Sequence, residues 1–526
     1  QIFDAGQIFD AGQIFDAGQI FDAGQIFDAG QTVNTGQLSG VGDCGDVSTL
    51  YDISAHPLPQ TEERIIRNVY ELTGPWYLVA MPHDQAAVNQ PFDIQFEVFE
   101  PVEPIPTDSG AIPDFTAPSE DPVVETLILY NSDRLFDTHT DTTVTPVDFQ
   151  DKIDDLALDV NGVAVDLGTI PSVVDVYDDW DNNLSNPQSA NRVARTIKKL
   201  IYSRIEAYPD LKYIVVIGGD EVIPQRRIQD YTVIANENRY KYYDGPALKA
   251  ASKNRYYLTD DYYAASLPIP VNGRELYIPQ YGIGRLVESP EDIMIMIDTF
   301  LANDTLAPQT ALVTGYDFLA DQATELSDTL TNDNLITVTP LINDTWTAND
   351  FRQAAFGATQ YDLISLNSHF DHFSFFPNNK DDVRVTEFTS VANNFSNKLI
   401  FSVGCHSGLN VYDDNTTKPF TGLDFAQFFA GQGSTYIGNT GFGYGDNELL
   451  AYSERLMMNF TEELGYNPNF GTAAEADTLP TVGTSMMRAK QRYLNNIGNG
   501  GLTNYDEKVI AELTVYGLPM RAIQPR

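Results

Sequence analysis

Tyr361-Asp-Leu-Ile-Ser-Leu-Asn-Ser-His369 and Asn397-Lys-Leu-Ile-Phe-Ser-Val-Gly-Cys405 decide how this sequence is read. Each is a short apolar run bounded by turn residues, the pattern of a strand buried on both faces of a parallel sheet. Each also halts on a side chain suited to nucleophilic or acid–base chemistry. Open parallel sheets carry their functional crevice beyond the carboxyl ends of the strands. Two neighbouring strands would therefore deliver His369 and Cys405 to one edge. A thiol is mostly protonated at neutral pH; a nearby imidazole takes its proton and later returns it to a leaving amine. Gly404, Ser407 and Gly408 let a substrate backbone approach and leave amides for an oxyanion. The blander reading of Cys405 is an inert buried thiol. A second strand end carrying the complementary imidazole weighs against it.

Further stretches extend the pattern: Leu211-Lys-Tyr-Ile-Val-Val-Ile-Gly-Gly-Asp-Glu-Val-Ile-Pro224, Tyr256-Tyr-Leu-Thr-Asp-Asp-Tyr262, Tyr281-Gly-Ile-Gly-Arg-Leu286 before a helix, and Tyr516-Gly-Leu-Pro519. With the His and Cys runs, these resemble the gingipain family of cysteine endopeptidases, relatives of caspases and legumains, over residues 125–520. The resemblance implies an α/β fold of two consecutive caspase-like subdomains with mainly parallel sheets, 125–308 and 309–526. It implies hydrolysis of protein or peptide substrates with Cys405 as nucleophile, His369 as general acid/base and no required cofactor. The oxyanion would be held by the backbone amides of Cys405 and of the residue after the histidine. Glycine is usual there in the family; Phe370 stands there here. Gly438-Asn-Thr-Gly-Phe-Gly-Tyr-Gly-Asp446 falls where the family holds the residue before the cut. Phe442 and Tyr444 would form pocket walls, and Asp446 would favour a basic residue. Read from the residues alone, the same run is a glycine turn whose Asp446 caps the next helix.

The rhythm of the chain from residue 125 agrees with an α/β class. Strands are expected at 127–130, 173–177 and 211–217, and helices at 147–158 and 191–208. Ser289-Pro-Glu opens another helix with an N-cap, a proline at N1 and an early acid. A second set runs from a strand at 311–314 through a helix ending near 330, a strand at 335–338 and a helix at 348–358 to the two key strands. A strand at 434–438 and helices near 446–464, 482–497 and 505–515 complete it. Such alternation means a parallel sheet covered by helices.

The front of the chain is different. Residues 1–30 are Gln-Ile-Phe-Asp-Ala-Gly five times without change. Five hexapeptides bury too little to fold alone, since solenoids need about three or more stacked units. They suit a stalk, or self-assembly through an array or a strand lent to a neighbour. Residues 31–60 read as a Gly-rich linker, with Cys44 among acids that oppose thiolate formation. Residues 61–124 read as a small β-rich region closed by a Pro-rich connection.

Against 31 basic residues stand 74 acidic ones, a net charge of -43. Such a surface argues against a nucleic-acid partner. It suits an extracellular or cell-surface protein, and no apolar run reaches the ~18 residues of a membrane span. Asp178-Asp-Trp-Asp-Asn-Asn183 would offer Asp178, Asp179 and Asp181 to calcium as a structural ion, or stand as a solvated acidic loop. Zinc on His369, His372, Cys405 and His406 is disfavoured, because neighbouring side chains at a strand end diverge. His372 and Asp371 are expected at the rim. A rival reading is a non-enzymatic surface or filament protein, motivated by the repeats and by Phe370. The terminal arginine is what a basic-specific peptidase would leave, so processing after Arg526 is expected.

Overall fold

The structure is a computed structural model. It describes residues 3–4 and 114–524, with breaks at 241–244, 267, 272–273, 332–335, 379–380, 392–393, 413–422, 447–448, 467–478 and 498–500. The expected repeat array beyond Phe3–Asp4, the linker with Cys44, nearly all of the β-rich region and the processing site at Arg526 lie outside the described residues.

Ten strands form one sheet. In chain order they are β1 (Thr126–Tyr130), β2 (Gly162–Asp166), β3 (Tyr213–Ile217), β4 (Gly282–Leu286), β5 (Thr310–Gly315), β6 (Thr337–Ile342), β7 (Leu363–Ser365), β8 (Leu399–Phe401), β9 (Thr435–Asn439) and β10 (Leu513–Tyr516). Their spatial order is β6-β5-β7-β8-β9-β10-β4-β3-β1-β2. Every neighbouring pair is parallel except β9 and β10. The sheet is therefore two parallel blocks joined back to back. At the seam Tyr516 pairs with Arg285, whose buried guanidinium reaches Asp260 Oδ1 at 2.6 Å.

Helices cover both faces, as crossover connections require. Those that matter here are α1 (Pro146–Asp159), α2 (Pro171–Asp181), α3 (Pro187–Ala207), α4 (Pro290–Ala302), α5 (Ala320–Thr331), α6 (Tyr452–Thr461) and α7 (Asn504–Glu512). α4 starts as its sequence dictates: Ser289 accepts from Asp292 N, Asp292 closes the capping box, and Pro290 sits in the first turn. The central strands are apolar on both faces. Leu312, Ile364, Ile400 and Tyr436 enter one core, while Ala311, Val313, Leu363, Leu399, Phe401 and Ile437 enter the other. That two-sided burial is why these runs show no polar alternation.

Two expectations are corrected. Residues 173–177 are not a strand but part of α2, which buries Val173, Val176, Tyr177 and Trp180 at helical spacing; the strand in that region is β2. The helix expected to 515 stops at Glu512, where Leu513–Tyr516 turns into β10.

Candidate active site

His369 and Cys405 are placed by register. β7 and β8 run parallel, and Ser365 is the partner of Phe401. His369 and Cys405 each follow those partners by four residues, so both leave the same sheet edge. Beyond β7 the chain is pinned: Leu366 N donates to Phe401 O at 2.8 Å, and Asn367 bonds Thr314 through its own N and its side-chain amide. His369–Asp371 then opens an antiparallel hairpin with Ser374–Asn378. Phe370 follows the histidine inward, and its ring lies where a side chain on Gly404 would be.

Cys405 is buried and its Sγ faces Gly443 O at 3.7 Å. Burial pushes the thiol up to about 12. Burial also pulls the His369 imidazole down to about 4. At neutral pH both are uncharged, so the resting pair is a thiol and a base rather than a thiolate and an imidazolium. Around Cys405 the amides are occupied: Gly404 N donates to Ser402 Oγ, His406 N to Gly441 O and Ser407 N to Gly404 O. The Cys405 amide makes no hydrogen bond among the described residues, which leaves a donor beside the sulfur.

A third group stands at the imidazole, one that no local pattern of residues marks. Asp317 Oδ2 lies 3.9 Å from His369 Nε2. It sits just after β5 in left-handed backbone, φ 56°, a conformation Asp tolerates better than most residues. Its amide donates to Asp344 Oδ1. Burial raises its carboxyl, and Asp344 raises it further. Tyr316 and Phe318 meet the imidazole edge on, at 6.2 and 6.1 Å between centroids. His369 Nδ1 is buried with no partner among the described residues. With Nε2 turned to an acceptor, Nδ1 is the nitrogen left for a thiol proton.

The glycine-rich segment adjoins this pair, and its aromatic side chains are buried. Phe442 is buried edge-on against His406 at 4.5 Å. Tyr444 is buried too, with its hydroxyl on the carbonyls of Ile234 and Ala235. Both expected walls are therefore interior struts. His372, expected at the rim, is fully buried with Nδ1 on Tyr240 Oη at 2.5 Å. Asp446 stays partly exposed and accepts from Leu449 N. Beside it lies an acid the sequence did not single out. Glu454 accepts from Asp446 N and Ala451 N through Oε2, while its buried Oε1 has no partner among the described residues. Burial, then Asp321, pushes this carboxyl up to about 9. A Cβ on Gly445 would meet Phe318 at 2.6 Å and Glu454 Cδ at 3.0 Å. Phe318 thus links the imidazole to this acidic corner.

The expected calcium ligands are not grouped for an ion. Asp178, Asp179 and Asp181 lie in the last turn of α2, where Asp179 pairs with Arg192 and Asp181 with Arg134 at 2.8 Å. No cluster of three His, Cys, Asp or Glu able to hold a metal occurs among the described residues.

A family model for peptidase family C25 matches residues 137–521. The chain belongs to peptidase family C25. This is the gingipain family of cysteine peptidases. Among solved structures, the chain is similar to the Arg-specific cysteine proteinase gingipain R, at 15% identity, covering 78% of this chain and 81% of that one, with a TM-score of 0.46. It is more distantly similar to caspase-1 from Spodoptera frugiperda, at 12% identity and a TM-score of 0.25, over 42% of this chain and 88% of that one. No curated protein matches the chain. Among the described residues, no helix is long and apolar enough to cross a membrane.

Proposed function

We propose that this C25 member is an extracellular cysteine endopeptidase in which Cys405 is the nucleophile, His369 the general acid/base and Asp317 the group that orients His369. The observation that carries this reading is the shared edge of β7 and β8, which brings both residues out four positions past a register pair. On this reading His369 Nδ1 takes the Sγ proton as sulfur attacks the scissile carbonyl carbon. The oxyanion is held by the Cys405 amide, with the Phe370 amide as second donor. Collapse expels the amine, which takes the proton from the imidazolium and leaves a thioester. Water then attacks that thioester and gives a proton to His369; the C–S bond breaks, Sγ takes that proton back from the imidazolium, and the acid product leaves.

A basic residue before the cut is supported by Asp321, Asp446 and Glu454 around Gly445. A protonated Glu454 is costly to ionise alone, and a bound guanidinium or ammonium would offset that cost. Tyr444–Gly445 also presents a strand edge, with which Phe3–Asp4 pair in parallel; an extended peptide would add there. Extracellular placement is supported by the acid excess and by the family.

The test is cleavage of a diverse peptide library. Turnover that favours Arg or Lys before the cut and disappears in Cys405→Ala supports the reading. Cleavage unchanged in Cys405→Ala ends it.

Full burial of Cys405 favours one rival, a peptidase-like scaffold assembling through residues 1–30. Ordered multimers with no Cys405-dependent cleavage would be its signature.

A further inference from the structure

The nucleophile turn, the histidine hairpin and the glycine-rich segment meet at one turn of chain far from all three in sequence. Glu237–Arg239 forms a single 3-10 turn. Glu237 is buried. Its Oε2 meets His406 Nε2 at 2.9 Å. Its Oε1 accepts from Phe442 N at 2.9 Å and from Lys508 Nζ at 2.6 Å. Three residues on, the Tyr240 ring stacks on His406 at 3.5 Å and 12°. The Tyr240 hydroxyl accepts from His372 N at 3.2 Å and meets His372 Nδ1.

His406 directly follows Cys405 and holds left-handed backbone, φ 54°. A non-glycine residue keeps that conformation only where its surroundings impose it. Here they do so from two sides, through the Glu237 carboxylate and the Tyr240 ring. Burial alone would raise the Glu237 carboxyl, but Lys508 and His406 outweigh it and hold it ionised. Asp230 completes the base of the turn, accepting from Glu237 N and Lys508 Nζ, both at 2.9 Å. Glu512, whose own carboxyl burial raises well above the usual carboxylate range against the pull of Lys508, is the remaining acid facing Lys508.

We propose that Glu237 and Tyr240 are positioning residues of the peptidase site: one turn fixes the backbone at Cys405–His406, the His369–His372 hairpin and the loop at Phe442 relative to one another. This rests on the peptidase reading above. Neither residue touches the reacting atoms. Glu237 acts through His406 and Phe442, and Tyr240 through His406 and His372.

Three variants test it. Glu237→Gln keeps the size and an acceptor but removes the charge. Tyr240→Phe keeps the stack and removes the His372 bonds. Asn238→Ala, exposed on the same turn, is the control. Expected are a kcat loss of about tenfold or more in Glu237→Gln and about threefold to tenfold in Tyr240→Phe, with KM within about threefold and Asn238→Ala unchanged. Amide exchange at Phe442 and His406 should quicken in Glu237→Gln, and exchange at His372 in Tyr240→Phe, while the sheet strands stay protected. Wild-type kcat, or unchanged exchange at these amides in folded variants, overturns the proposal. So does a loss of kcat that only follows global melting and returns on cooling. If the wild-type protein cleaves nothing through Cys405, the peptidase reading fails. The exchange pattern then still decides whether the turn fixes the three segments.

Discussion

The ring of Phe370 lies against the α-carbon of Gly404, so the residue after the histidine touches the residue before the cysteine. A Cβ on Gly404 would fall 2.6 Å from Phe370 Cγ. Phe370 lies in the His369–Asp371 strand and is enclosed by Phe375 and Phe425, while Gly404 N is tied to Ser402 Oγ. Gly404→Ala must therefore displace one arm of the site. It should cost about 1–3 kcal/mol of stability and most of the activity. Adding Phe370→Leu should recover part of both, read by denaturant melts and peptide turnover.

Asp317 faces His369 Nε2 at 3.9 Å from a half-exposed position. Its orienting effect should be real but smaller than that of a buried partner. Asp317→Asn, which keeps the left-handed turn, should lower kcat about tenfold with little change in KM. An unchanged kcat would remove Asp317 from the catalytic set.

Burial holds the His369 imidazole near 4, below its ordinary value of about 6.5. The base form is present above that pKa and is lost as pH falls through it. The acid limb of kcat/KM should therefore lie between about pH 4 and 5 rather than near 6.5. A limb at 6.5 would mean that the imidazole is solvated in the working enzyme.

Glu454 tests the acidic corner. Its folded carboxyl titrates near 9 and its unfolded one near 4.3, so the folded state binds the proton more tightly. Stability therefore falls as pH rises through that interval. Glu454→Gln should flatten this dependence and melt higher than wild type at pH 8. It should also raise KM for substrates with Arg or Lys before the cut, leaving small apolar residues unaffected. A lower melting temperature for Glu454→Gln at pH 8 would contradict the assignment.

The sheet edge was legible because β5, β7 and β8 are buried on both faces, and a strand in that setting is an uninterrupted apolar run. Periodicity failed at 173–177, where three valines and a tyrosine suggest a strand. Pro171 in the first turn and Trp180 two helical turns beyond Val173 marked the helix instead. The site beyond the dyad was hidden for another reason. Asp317, Glu454 and Glu237 are acids in an acid-rich chain, and nothing local distinguishes them. Only the fold brings Glu237 to His406, or Asp317 to His369. The direction of Phe442 and Tyr444 was not legible either, because a glycine-rich stretch does not tell which way its aromatic residues turn. The chain turns them onto His406 and the Ile234–Ala235 backbone.

The central claim is that Cys405 and His369 act together on a bound peptide. The most direct measurement is adduct mapping after reaction with a peptidyl acyloxymethyl ketone carrying Lys before the warhead. Because the resting thiol is held protonated, labelling should need the bound peptide. The account predicts a stoichiometric adduct on Cys405, far slower labelling with simple iodoacetamide, and loss of the adduct in His369→Ala. Folded wild-type protein that forms no adduct, or a His369→Ala variant that labels at the wild-type rate, would contradict it.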